Sequence, residues 1–341
     1  MNLTELNRIA TAMVAPGKGI LAADESSGTI KKRFDAIGVE STEESRRAYR
    51  EMLFRSKEAM SQYISGVILY DETIWQDAKD GTPLVKLIES SGAIPGIKVD
   101  EGTQGLPMCP GELVTVGLDK LAERLKKYYE RGARFAKWRA VIDIGSDIPS
   151  MTAISVNAHA LARYAALCQA AQIVPIVEPE VLMDGDHDID RCYEVTSRVL
   201  NKTFEELRSQ RVALEGMVLK PNMAVSGKKC AKQASVEEVA EKTIRLLRAC
   251  VPAAVPGIAF LSGGQSDEAA TAHLNAMHKL GPLPWGLTFS YGRALQAAPQ
   301  KAWSGKAENV AAGQNAFSHR ARMNGLASRG EWQSSLEQKA A

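Results

Sequence analysis

No apolar run in the 341 residues approaches the ~20 that a membrane-spanning helix needs. The first residues, MNLTELNRIATAM, carry neither the basic segment nor the apolar core of a secretory leader. Cysteine is scarce. The five present (Cys109, Cys168, Cys192, Cys230, Cys250) are odd in number and widely spaced, with no CxxC, which predicts free thiols and a reducing, cytoplasmic setting. An excess of either charge is also missing, since Lys+Arg number 42 against Asp+Glu 40, a formal net charge of +2. Neither nucleic acid nor a membrane is therefore an expected partner. The basic stretch Arg46-Arg47-Tyr49-Arg50 alternates with Glu43, Glu44 and Glu51 and reads as a solvated helix face.

Several chemistries lack their residues. His159, His187, His273, His278 and His319 show no paired spacing, so no zinc ligand set is visible and no metal is expected. Asp184-Gly185-Asp186-His187-Asp188 would need Gly in place of Ile189 and Glu in place of Val195 to be an EF-hand loop, and reads instead as an acidic helix start. Leu261-Ser262-Gly263-Gly264-Gln265 spells an ATPase signature loop, but no Walker A spacing accompanies it. GxGxxG is absent as well, which argues against a doubly wound dinucleotide-binding sheet.

What recurs is a short apolar run followed by a longer helix-like segment. The runs are GILAA (19–23), GVILY (66–70), IPGIKV (94–99), ARFAKW (133–138), IVPIV (173–177), GMVLK (216–220), GIAFL (257–261) and WGLTF (285–289). Helical periodicity marks 155–172 and 235–251, and capping boxes are predicted at Ser41/Glu44 and Ser235/Glu238. Eight strand-like runs alternating with helices predict an α/β fold, a closed (β/α)8 TIM barrel in a single domain, residues 1–325. The polar segment 326–341 buries little apolar surface and is expected to be a mobile tail.

Nearly every apolar run leads into charge or glycine. In a barrel these positions converge on the C-terminal mouth, where active sites lie. They include Asp24-Glu25, Asp71-Glu72, Lys98, the same-facing pairs Lys137/Arg139 and Glu178/Glu180, and Lys220 before Pro221. A lysine at the end of an apolar strand, beside a second cation such as Lys137, suits attack on a carbonyl as the free amine. A carboxylate such as Glu178 could then shuttle the protons. The seventh and eighth runs lead into Ser262-Gly263-Gly264 and Ser290-Tyr291-Gly292-Arg293, glycine turns ahead of helix starts that suit a phosphate.

These segments resemble the class I fructose-1,6-bisphosphate aldolases, the metal-independent, Schiff-base type. The resemblance is carried by LAADESSGT (21–29), GVILYDET (66–73), GIKVDEG (96–102), RFAKWR (134–139), ARYAALCQ (162–169), IVPIVEPE (173–180), DGDHD (184–188), LEGMVLKPN (214–222), FLSGGQS (260–266), LTFSYGRALQ (287–296) and KAW (301–303). It implies reversible cleavage of fructose 1,6-bisphosphate to dihydroxyacetone phosphate and glyceraldehyde 3-phosphate, with no cofactor beyond a covalent imine on Lys220. By the same resemblance Glu178 dehydrates the carbinolamine, Lys137 assists with Glu180 nearby, and Asp24 takes the C4 hydroxyl proton. Ser262, Gly263, Gly264, Ser290, Gly292 and Arg293 would hold the C1 phosphate, and Ser26, Arg33, Lys98 and Arg139 the other end. Sugar phosphates are the implied partners, and a homotetramer the implied assembly. The alternatives are an imine aldolase for another phosphorylated ketose and a non-catalytic scaffold of the same fold. Many animal and plant relatives end in a tyrosine that folds into the site, whereas the last tyrosine here is Tyr291.

Overall fold

The computed structural model describes residues 1–339. Eight parallel strands close on themselves: β1 (Gly19–Ala23), β2 (Ile64–Leu69), β3 (Ile94–Lys98), β4 (Phe135–Ile142), β5 (Val174–Val181), β6 (Val218–Leu219), β7 (Gly257–Phe260) and β8 (Gly286–Tyr291). Each pairs with the next, and closure comes from Ile20 opposite Ser290 and Leu21 opposite Tyr291. The expected barrel is the fold. A small antiparallel hairpin, Thr103–Gly105 with Leu113–Thr115, stands beside it. No helix among the described residues is long and apolar enough to cross a membrane.

Alternation along the strands divides the barrel in two. Side chains of one parity pack outward against the helices, among them Val67, Leu69, Ala136, Trp138, Val177, Leu219 and Phe260. The other parity fills the interior, with Ile20, Ile68, Phe135, Val174, Ile176, Val218 and Ala259 as its lower tier. The N-terminal helix, Leu3–Met13, seals that end by adding Leu6, Ile9, Ala10 and Met13 to the same cluster. Phe135 needs room that only glycine leaves: a Cβ on Gly96 would lie 2.2 Å from its ring, and one on Gly66 2.9 Å.

β4 and β5 run beyond the expected 133–138 and 173–177, because Lys137, Arg139, Glu178 and Glu180 lie inside the strands on their inner face. The charges end the apolar run without ending the ladder, where Arg139 pairs in register with Glu178. β6 is shorter than the expected 216–220. Lys220 still donates its backbone N–H to Val177 (2.8 Å), but Pro221 has no N–H to continue the pairing.

The expected cap at Ser235/Glu238 is present, whereas the earlier helix is Glu43–Phe54 and its box is Thr42 with Ser45. Thr42 accepts from the Ser45 N–H while the Ser45 hydroxyl accepts from the Thr42 N–H, the same reciprocal geometry one residue on. Asp188 caps the helix Ile189–Ser209, as an acidic helix start requires.

The boundary expected at 325/326 falls inside the helix Val310–Ala327. Beyond it, the Trp332 backbone N–H donates to Asn275 Oδ1 (2.9 Å) and its side chain packs against the core. Glu337 accepts from the Trp332 indole (3.0 Å), His319 (3.0 Å) and the buried Arg320 (2.5 Å). These contacts come from the segment expected on composition to be a mobile tail, and they converge on a buried cation that its composition did not reveal. Ala340 and Ala341 lie outside the described residues.

Candidate active site

A cavity of about 1020 Å³ opens at the C-terminal mouth of the barrel. The interior parity that is apolar below becomes charged above: Asp24 after β1, Lys98 on β3, Lys137 and Arg139 on β4, Glu178 and Glu180 on β5, Lys220 after β6. All of these line the cavity, as do Ser26, Arg33, Ser262, Gly263, Ser290, Gly292 and Arg293. Gly264 faces an adjoining cleft that shares Arg293 with the main cavity.

Lys220, Glu178 and Lys137 are buried at the floor. Lys220 Nζ lies 3.2 Å from Glu178 Oε1, and Lys137 Nζ lies 3.6 Å from Glu178 Oε2. Lys137 also contacts Asp24 at 2.6 Å and Asp100 at 4.0 Å, so that cations and carboxylates alternate across the floor. Burial opposes ionisation of Asp24, but the ammonium groups of Lys137 and Lys220 outweigh it and hold the carboxyl at about 2. Burial likewise opposes the charge on Lys137, and Asp24, Glu178 and Asp100 overcome it, raising its pKa. Among the described residues Glu178 Oε2 has no hydrogen-bond partner, a buried oxygen available to an incoming hydroxyl.

At one side of the mouth lies the turn Ser262-Gly263-Gly264, of which Ser262 and Gly263 line the cavity. Gly263 is left-handed (φ +54°), and the Gln265 N–H closes the turn by donating to Ser262 O (3.1 Å). Arg293 braces the turn, donating to the carbonyls of Gly263 (2.9 Å) and Gln265 (2.8 Å). Gly292 caps the helix Arg293–Trp303 with no side chain in the way, and the buried Ser290 Oγ has no hydrogen-bond partner among the described residues. Elsewhere around the mouth the cations are each held by a carboxylate: Arg33 by Glu25, Lys98 by Asp100 (2.8 Å) and Arg139 by Glu180. Ser26 lines the wall there as the N-cap of Ser27–Asp35.

Two carboxylates, Asp100 and Glu25, had no role assigned from sequence, although Glu25 was expected at the mouth. Asp100, in GIKVDEG, has the parity of Lys98 and bridges it to Lys137. Glu25 holds Arg33 and accepts from Gln296 (2.7 Å), while the fully buried Arg50 donates to its carbonyl (2.8 Å). The parity of Asp100 and the adjacency of Glu25 to Asp24 were the available signals. Glu72 sits away from the floor in an ion pair with Arg46, and Asp71 at the rim accepts from Tyr128 (2.7 Å).

An amine beside a carboxylate, a second ammonium between two acids, and anion turns at the rim together suit carbonyl chemistry on a phosphorylated substrate. The class-I fructose-bisphosphate aldolase family model matches residues 5–341. The chain belongs to the class-I fructose-bisphosphate aldolase family. A probable fructose-bisphosphate aldolase class 1 of Xanthomonas campestris pv. campestris is 60% identical over 97% of this chain and 99% of its own length. Fructose-bisphosphate aldolase 1 of Toxoplasma gondii is 56% identical over 96% of this chain and 91% of its own. Among solved structures, the Plasmodium falciparum fructose-bisphosphate aldolase, in complex with TRAP and a small-molecule inhibitor, superposes with a TM-score of 0.95 at 48% identity, covering 97% of this chain and 96% of that one. Class I fructose-bisphosphate aldolase activity, and with it the lyase assignment, stands on this membership.

Proposed function

We propose that the chain cleaves fructose 1,6-bisphosphate reversibly through an imine on Lys220, without a metal ion. The observation that carries this is the buried pair of Lys220 with Glu178 at 3.2 Å, with Lys137 on the other side of the carboxylate. The free amine of Lys220 attacks C2 of the open-chain ketose. Glu178 then protonates the carbinolamine hydroxyl, which leaves as water. The iminium draws the electron pair of the C3–C4 bond as Asp24 accepts the C4 hydroxyl proton and the aldehyde departs. Protonation of the enamine at C3 and hydrolysis return the ketone half and the amine. The iminium is the electron sink, so the chemistry requires no Lewis acid.

Lys137 steadies charge on Asp24 and Glu178 through these steps, and Arg139 holds Glu180 beside them. Ser262, Gly263, Gly264, Ser290, Gly292 and Arg293 receive the C1 phosphate; Ser26, Arg33, Lys98 and Arg139 receive the other end. The barrel acts as one catalytic domain in a cytoplasmic homotetramer. The test is borohydride reduction in the presence of dihydroxyacetone phosphate, followed by peptide mapping. The adduct maps to Lys220, and Lys220→Met forms none while keeping its fold. A borohydride-stable adduct in that variant refutes the assignment.

A further inference from the structure

The anion turn is flanked by a second cation that the mechanism above does not use. Lys228 lies in the loop after β6, and its backbone is fixed by pairing with the loop after β5. Gly227 N–H donates to His187 O (2.8 Å), Lys228 N–H to Met183 O (2.7 Å) and Lys229 N–H to Gly185 O (3.0 Å). Gly227 is obligatory in this pairing, since a Cβ there would stand 2.3 Å from the carbonyl oxygen of Gly185. The side chain is thereby launched across the turn: a Cβ on Gly264 would meet Lys228 Cε at 1.8 Å and Nζ at 2.4 Å. Its ammonium is held by Asp184 Oδ1 at 2.5 Å, and Asp184 lines the main cavity. The Gly264 N–H points to a poor acceptor, the Met183 thioether, at 3.1 Å. Arg293, by contrast, spends one nitrogen on the turn's own carbonyls.

We propose that Lys228 is a phosphate-binding residue for the ketone half of the substrate, with Asp184 as the counter-ion that keeps it at the turn. This rests on the reading that Ser262-Gly263-Gly264 receives the C1 phosphate. A phosphate seated on the turn has Arg293 on one side and the Lys228 ammonium on the other. Asp184 competes with that phosphate for the ammonium, so removing its charge strengthens binding.

The experiment is steady-state condensation with each substrate varied in turn. Lys228→Met raises KM for dihydroxyacetone phosphate about tenfold, the scale of one charge-assisted contact, and leaves KM for glyceraldehyde 3-phosphate and kcat within about twofold. Lys228→Arg retains most of the wild-type KM, and Asp184→Asn lowers KM for dihydroxyacetone phosphate. Arg293→Ala serves as the control for the turn. If it raises KM for dihydroxyacetone phosphate and Lys228→Met does not, Lys228 is not a ligand and the turn reading stands. If neither variant moves it, the turn reading falls and this inference with it. Equal rises for both substrates in Lys228→Met, or a loss confined to kcat, would show a structural role and overturn the proposal.

Discussion

Replacing Asp24 by asparagine tests the charge arrangement at the barrel floor, because the amide resembles the protonated acid in size and in hydrogen bonding. The stability difference between the two proteins then measures what ionisation of Asp24 is worth in the folded chain. Its carboxyl titrates at about 2 against 3.8 for a free aspartate side chain, because Lys137 and Lys220 outweigh the penalty of burial. At about 1.4 kcal/mol per pH unit, the ionised form contributes about 2 kcal/mol at neutral pH. Since the folded value is the lower one, the contribution is complete above about pH 4 and is lost as pH falls toward about 2. In a chain of 341 residues, a loss of about 2 kcal/mol lowers Tm by about 3 °C. Urea unfolding of both proteins at a series of pH values reads the difference directly. Equal stability at pH 7, or a gap that persists undiminished at the acid end of the window, would refute the reasoning. If Asp24 is also the acceptor of the C4 proton, the variant loses cleavage by at least about a hundredfold while still forming the imine.

Four further perturbations have expected outcomes. Glu337→Ala, which leaves the buried Arg320 without its carboxylate, costs up to about 3 kcal/mol in urea unfolding; truncation after Arg329 costs at least as much, yet changes turnover by less than about tenfold, ~1.4 kcal/mol in barrier, because Trp332 packs on the helix core rather than in the cavity lining. Gly96→Ala, whose Cβ would stand 2.2 Å from the Phe135 ring, destabilises by about 1–3 kcal/mol, and Phe135→Leu relieves part of that loss in the double variant. On the proposed imine mechanism EDTA leaves cleavage unchanged; a large loss restored by zinc would overturn that mechanism.

The alternation of apolar runs with helical periods was enough to read a closed parallel barrel, and the charges at the ends of the runs were enough to read that they gather around one cavity at its mouth. Both are local consequences of strand parity: once Ile176 faces inward, Glu178 and Glu180 must too. Where β4 and β5 stop was not legible, because a charge on the inner face ends hydrophobicity but not hydrogen bonding. The cap at Thr42 rather than Ser41 turned on one residue of backbone geometry. Tertiary structure alone decided the partnerships. Lys137 meets Asp24 across 113 positions of sequence, at 2.6 Å, and that contact depends on closure of the barrel rather than on any spacing in the chain. The same holds for Asp100 between two lysines, for the N-terminal helix sealing the barrel, and for Glu337 on Arg320. Composition predicts how much a segment can bury. Only the folded chain shows which buried charge is waiting for it.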